Sequence, residues 1–429
     1  MFQELGPDAR ELLGVIAFFP QGVDENNIDW LFPTIAGRKN TFDKFCVLSL
    51  TYRSDGFITM LAPIRDHLSP KDPASTPLLC STKDRYFSRL SVDVRPGQPG
   101  SEDARWIRSE DVNVEHLLDV FTTVDSTSGV VWGACVNFMN HLYWQKPRLV
   151  VLGAKIEALA DDHPSKLDCL SKFSELFQRV GNHTEPKRLL THILKLAREQ
   201  EDDGKLARAL YFLSIAHIST EQFEEGVREM KEALEVWERL GEITNQVMCL
   251  AQLAASLNAA GQLDAAEEAA LRVVDLFPEN EPLLACRCHH TLGDIYQSKG
   301  EIEKAIHHLE VALGIASSSN FPTLWSVVHL SLANLFAGEG RFDDAHTHTE
   351  HAKLQAANSN DTCTLGLAMW YQAVFLHRQH RFEEAKSEAV RALEVFEKLG
   401  AADYAGDVME VLRQMDHDFR ANVSLNELD

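Results

Sequence analysis

Residues 292–313 read LGDIYQSKGEIEKAIHHLEVAL, and their spacing decides the fold. Leu292, Gly293 and Tyr296 sit on one helix, and Gly300 is placed to end it in a left-handed conformation at little cost. Ile302 opens a second helix, on which Ala305, Leu309 and Ala312 recur at i, i+4 and i+7, one helical face. Working outward from Ala305, the same position is held by Pro186, Gly226, Ala266, Ala345 and Ala385. The six positions are separated by 40, 40, 39, 40 and 40 residues. A fixed period of this size predicts an α-α solenoid of stacked hairpins. One such hairpin cannot bury its apolar face alone, so its neighbours must cover it.

The other copies keep the template. Leu253, Ala254, Leu257, Gly261, Leu263, Ala266 and Ala270 form one; Leu332, Ala333, Phe336, Gly340, Phe342 and Ala345 another. Ala373, Phe382, Ala385, Ala389 and Ala392 form a third, and Leu213, Ser214, Phe223, Gly226 and Ala233 a fourth. Phe173, Ser174, Phe177, Gly181 and Pro186 make a degenerate first copy, as terminal repeats often are. Residues 402–416 read as a capping helix, which bounds the array at 161–416 and leaves 417–429 as a flexible tail. The Leu-Gly, Tyr, Gly, Ala and Ala sites resemble the tetratricopeptide repeat. That family's period is about 34 residues. The longer step here is similar to the long-repeat subclass of kinesin light chains and of STAND-class activators.

Ahead of the array, residues 5–17, 24–33 and 40–46 suggest three helices. CVLSLTYR and GFITML then read as two strands joined at Ser54-Asp55-Gly56. Three helices and a β-hairpin describe a small winged-helix domain over 1–68. Residues 69–77 and 95–101 are rich in Pro, Gly and Ser and read as loops. Helices over 82–90, 103–124 and 127–145 make 69–160 a helical connector.

Composition excludes several functions. The 429 residues carry 64 Asp and Glu against 41 Lys and Arg, a formal charge of −23. The first 66 residues hold six Lys or Arg and nine Asp or Glu. A DNA reader needs the opposite balance, so the winged helix is expected to be structural rather than a DNA-binding regulator. Neither nucleic acid nor membrane is an expected partner, since no apolar run is long enough to span a bilayer. The start of the chain lacks a basic, apolar secretory leader. The eight cysteines lie singly in helical patterns, which suits reduced thiols and a cytoplasmic site.

LGPDARELLGVIAFFPQGVDENNIDWLFPTI (5–35), FDKFCVLSLTYRSDGFITMLAPIRDHL (42–68) and FMNHLYWQKPRL (138–149) carry a second resemblance. They look like the winged-helix end of the nucleotide-binding module in fungal NLR-like STAND proteins, where a repeat array follows as sensor. That resemblance covers essentially the whole chain and implies an upstream nucleotide-binding module in a full-length relative. The sequence departs from it in two ways. No GxxxxGK[ST] loop is present, so no nucleotide cofactor is expected. At the family's Met-His-Asp position stand Met60, Leu61 and Ala62, so no phosphate-sensing histidine carries over.

Catalytic patterns are wanting: there is no GxSxG and no HExxH. His346, His348 and His351 cluster, but nothing nearby completes a metal site. No enzymatic activity and no metal are therefore expected. What remains is recognition. In the tetratricopeptide family the first helix of each unit lines the concave face. Carried over, that face holds Arg208, Tyr211, Asn258, Arg287, His290, Asp294, Asn334, Trp370, His377 and Arg378. Arg and aromatic residues are the types enriched at binding hot spots. The expected partner is a protein or peptide in this groove. The lysine clamp of chaperone-tail binders is missing. A freestanding adaptor or scaffold is the alternative role.

Overall fold

Pro7 fixes the first turn of the first helix, α1 (Pro7–Phe18), whose second half, from Leu12 to Phe18, is buried on every side. The computed structural model describes residues 5–91, 105–145, 147–182, 184–276 and 281–426. The chain divides into two compact units: one runs to Cys169 without residues 142–149, and the other holds 142–149 and everything from Leu170 on.

In the first unit, α1 is followed by β1 (Val23–Asp24), α2 (Ile28–Leu31), α3 (Arg38–Val47), β2 (Tyr52–Ser54), β3 (Phe57–Thr59) and α4 (Ala62–Leu68). The strands form one antiparallel sheet in the order β1-β3-β2, with Ile58 opposite both Val23 and Arg53. Asp55 and Gly56 both take positive φ, as a tight two-residue hairpin requires. The hairpin is shorter than its pattern suggested. Cys46 and Val47 end α3 instead of opening a strand, because Phe45 is fully buried in the core as part of that helix. Likewise residues 24–33 are not one helix: Val23–Asp24 is taken into the sheet and only Ile28–Leu31 is α-helical.

Then come α5 (Pro77–Leu90), α6 (Arg105–Val124), α7 (Gly129–Gln145) and α8 (Gly153–Ala158). The stretch 95–101 lies outside the described residues. Glu110 of α6 is fully buried and accepts hydrogen bonds from Tyr86 Oη (2.9 Å), Asn113 Nδ2 (2.7 Å) and Asn27 Nδ2 (2.9 Å). Three donors offset the desolvation of this carboxyl, although burial still pushes its pKa up. Lys166, 1% exposed, donates to the carbonyls of Glu157 (2.6 Å), Leu159 (2.8 Å) and Ile156 (3.3 Å), satisfying the open C-terminal end of α8.

From α9 (Lys166–Arg179) on, the chain is a run of hairpins: α10 (Thr184–Glu199), α11 (Asp203–Ser219), α12 (Phe223–Leu240), α13 (Ile243–Ala259) and α14 (Leu263–Leu276). They continue as α15 (Pro282–Ser298), α16 (Ile302–Ser318), α17 (Pro322–Gly338), α18 (Phe342–Asn358), α19 (Thr362–Arg378) and α20 (Phe382–Leu399), closed by α21 (Ala402–Asn426). The long period has a simple origin. α15 and α16 have 17 residues each, and the turns 299–301 and 319–321 supply the rest. α21 is longer than the expected cap, since its helical pattern runs past Asp416 to Asn426.

Packing explains the small residues. A Cβ on Gly293 would stand 2.6 Å from Leu309 Cγ, so glycine lets α15 lie against α16. Ala305, Leu309 and Ala312 are fully buried there. Tyr296 reaches the preceding hairpin: its hydroxyl donates to Glu267 Oε1 (2.9 Å) and its ring stacks on His308 at 5.3 Å. First helices also pack on first helices, α11 on α13, α13 on α15, α15 on α17 and α17 on α19, as an inner layer.

Candidate functional site

The inner layer is where the sequence placed a binding face. Arg208 and Tyr211 stand on α11, Asn258 on α13, Arg287, His290 and Asp294 on α15, Asn334 on α17, and Trp370, His377 and Arg378 on α19. Tyr211 is buried, Arg208 and Arg378 are exposed, and the other seven are half-buried.

Several of these side chains meet. Arg287 Nη2 donates to Tyr211 Oη at 3.5 Å, joining α15 to α11 across the intervening α13. His290 Nε2 lies 2.8 Å from Ser331 Oγ on α17 and 3.6 Å from Asp294 Oδ2. Among the described residues, Asn258 Oδ1 and Trp370 Nε1 are buried and find no hydrogen-bond partner, which is costly for polar atoms taken out of water. His377 and Arg378 are set apart. They end α19, where His377 packs on Phe382 at the hairpin turn, ring centroids 5.5 Å apart.

The first hairpin adds residues that the repeat template did not mark. On α9, Glu175 is buried and bound by Lys172 Nζ (2.6 Å) and Arg208 Nε (2.7 Å). Burial opposes its ionisation, but Arg208 and Lys172 outweigh burial and hold its pKa below the usual range. Lys172 also lies 5.9 Å from the centre of the Tyr143 ring. Arg179 reaches the far end of the array. Its Nη2 donates to Asp361 Oδ2 at 2.7 Å and to Thr323 Oγ1 at 3.3 Å, and Thr323 donates to the same carboxylate at 2.8 Å. Asp361 is buried, and Arg179 overcomes that burial to hold its pKa low. Asp361 Oδ1 meanwhile caps α19 through Thr364 N (3.1 Å).

The two ends of the array therefore touch. Thr184 Oγ1 donates to Asp403 Oδ1 (2.7 Å) and Asn182 Nδ2 to the Gly400 carbonyl (3.3 Å). Gly181, at φ +82°, is a double requirement: a side chain there would be strained and would run into the Tyr404 ring.

The histidines fall into pairs. His329 Nδ1 and His348 Nδ1 are 2.7 Å apart, and His289 Nδ1 and His308 Nδ1 3.0 Å apart. One ring of each pair must donate and the other accept, so the contact needs a neutral acceptor. Burial first, then His348 and His351, bring the pKa of His329 down to about 3. His346 is engaged by Gln372 and Gln379. Among the described residues no three His, Cys, Asp or Glu side chains are grouped to hold a metal ion.

With this geometry in place, the comparisons are clear about the fold. A tetratricopeptide repeat family model matches residues 246–318, from α13 to α16. The solenoid is of the tetratricopeptide type throughout, six long hairpins preceded by helices and a three-stranded sheet. Among solved structures, a STAND protein with a tetratricopeptide repeat sensor from Pyrococcus horikoshii is similar over 100% of this chain. That match has 15% identity and a TM-score of 0.53, and this chain spans 65% of that protein's length. A Rap protein in complex with competence and sporulation factor is similar over 79% of this chain and 99% of its own, with 13% identity and a TM-score of 0.50. No curated protein sequence matches the chain. No helix among the described residues is long and apolar enough to cross a membrane.

The sequence pattern could have exposed part of the α9 group. Lys172, Glu175 and Arg179 are spaced i, i+3 and i+7, one helical face. The match of Arg179 with Asp361 had no signal, because 182 residues separate them.

Proposed function

We propose that this chain recognises a peptide or protein segment on the inner layer of its repeat array, as the sensor part of a STAND-type signalling protein. The observation that carries the reading is the inner layer itself. It gathers Arg, Tyr, Trp and amide side chains from successive first helices, α11 to α19. Two likenesses support it: one similar structure is a STAND protein with a tetratricopeptide repeat sensor, and another is a Rap protein in complex with competence and sporulation factor.

In this reading residues 1–68 are a winged helix without a DNA role, 69–160 connect it to the array, and an upstream nucleotide-binding module responds to occupancy. Ligand binding would act by favouring one state of that module. The chain performs no chemistry of its own. Its eight cysteines are free and six are buried, which supports a reducing, cytoplasmic setting.

The test is to pan a displayed random-peptide library against the purified chain and measure the selected peptides against Trp370→Ala and Asn334→Ala. Loss of at least tenfold in affinity in either variant is expected, with thermal unfolding unchanged for Asn334→Ala and lowered for Trp370→Ala, whose ring packs against the core of the last hairpin. Unchanged affinity in both would remove the inner layer as the receptor.

A further inference from the structure

Charge is sorted by helix. The first helices of the six hairpins (α9, α11, α13, α15, α17, α19) hold seven Lys or Arg against four Asp or Glu. The second helices (α10, α12, α14, α16, α18, α20) hold thirteen against twenty-two. In a chain of net charge −23 the first helices thus carry a small basic excess and the second helices an acidic one. An acidic segment is less repelled by the first helices than by the second.

Among the described residues, two arginines of that layer have no carboxylate partner, Arg287 and the exposed Arg378 at the end of α19. Arg179 has Asp361, and Arg208 has Glu175. Half-buried Arg287 has only the neutral Tyr211 hydroxyl, at a long 3.5 Å, and no carboxylate among the described residues. Taking a guanidinium partly out of water without a counter-charge is unfavourable unless something else supplies one. Its planar fork suits a carboxylate held by two parallel hydrogen bonds.

Resting on the peptide-recognition reading above, we infer that Arg287, with the Tyr211 hydroxyl beside it, is the anchor for a carboxylate of an acidic peptide. The carboxylate is either an Asp or Glu side chain or the peptide's C-terminus. It pairs with the Arg287 guanidinium and accepts a hydrogen bond from the Tyr211 hydroxyl.

The experiment takes the panned peptides and remakes each in two forms, one with Asp and Glu changed to Asn and Gln, the other with an amidated C-terminus. Both are titrated against the wild-type chain, Arg287→Gln and Arg287→Lys. The anchor predicts a loss of at least tenfold for one amidated form, equivalent to about 1.4 kcal/mol. It predicts a similar loss for Arg287→Gln with the parent peptide, and no further loss when the two changes are combined. Arg287→Lys retains part of the affinity, and the form that fails shows which carboxylate is used. Peptides that bind as well after both amidations, and equally well to Arg287→Gln, overturn the anchor and leave peptide recognition standing. A library from which no peptide is retained overturns both.

Discussion

At the scale of single residues, the clearest consequence is a pH dependence set by His329. Its burial against Trp325, His348 and His351 lowers its pKa to about 3. The unfolded chain takes up this proton near pH 6.5, while the folded one stays neutral. Stability is thus complete above that value and falls with decreasing pH down to about 3, by about 1.4 kcal/mol per pH unit for this group. His348 is lowered too, by burial first and then by His351, against the opposing pull of Asp344 and Glu310. Thermal unfolding from pH 7 to pH 5 should show a falling midpoint, and His329→Gln should flatten that fall. A slope that the variant leaves unchanged would place the titration elsewhere.

At the scale of elements, the glycine at 293 and the leucine at 309 set the approach of α15 to α16. Gly293→Ala should cost about 1–3 kcal/mol by overpacking, because the added methyl meets the branch point of Leu309 rather than a flexible tip. Urea unfolding of Gly293→Ala, Leu309→Ala and the double variant measures it. The double variant should be more stable than the sum of the two single losses allows. The hairpins were legible in the sequence for the same reason: alanine and glycine at fixed offsets record a contact made within one unit. The strands were less so. CVLSLTYR alternates like a strand, yet Phe45 and its neighbours were already committed to α3, and only Tyr52–Ser54 was left to pair. A third strand, Val23–Asp24, had no pattern long enough to read.

At the scale of the array, what sequence could not supply was closure. Arg179, Asp361 and Thr323 come from the first, last and next-to-last hairpins, and only the superhelical winding of the solenoid brings them together. The pair is buried, so removing one partner strands the other. Asp361→Ala should cost about 3–5 kcal/mol, including the lost cap of α19, and let the array ends part. Small-angle scattering should then report a larger radius of gyration, and Arg179→Leu should behave alike. Unchanged scattering in both would mean that the contacts of Thr184, Asn182 and Tyr404 suffice to hold the ends. The candidate face was half legible. The repeat template marks positions on α11 to α19, Arg208 among them, but the degenerate α9, which carries Glu175 and Lys172, follows no such template.

The central claim is that the inner layer is the receptor surface. Amide hydrogen exchange with a panned peptide at saturation tests it most directly. New protection concentrated in α11, α13, α15, α17 and α19, with α12, α14, α16, α18 and α20 little changed, is the predicted result. Protection confined to the second helices, or to residues 5–91, would contradict it.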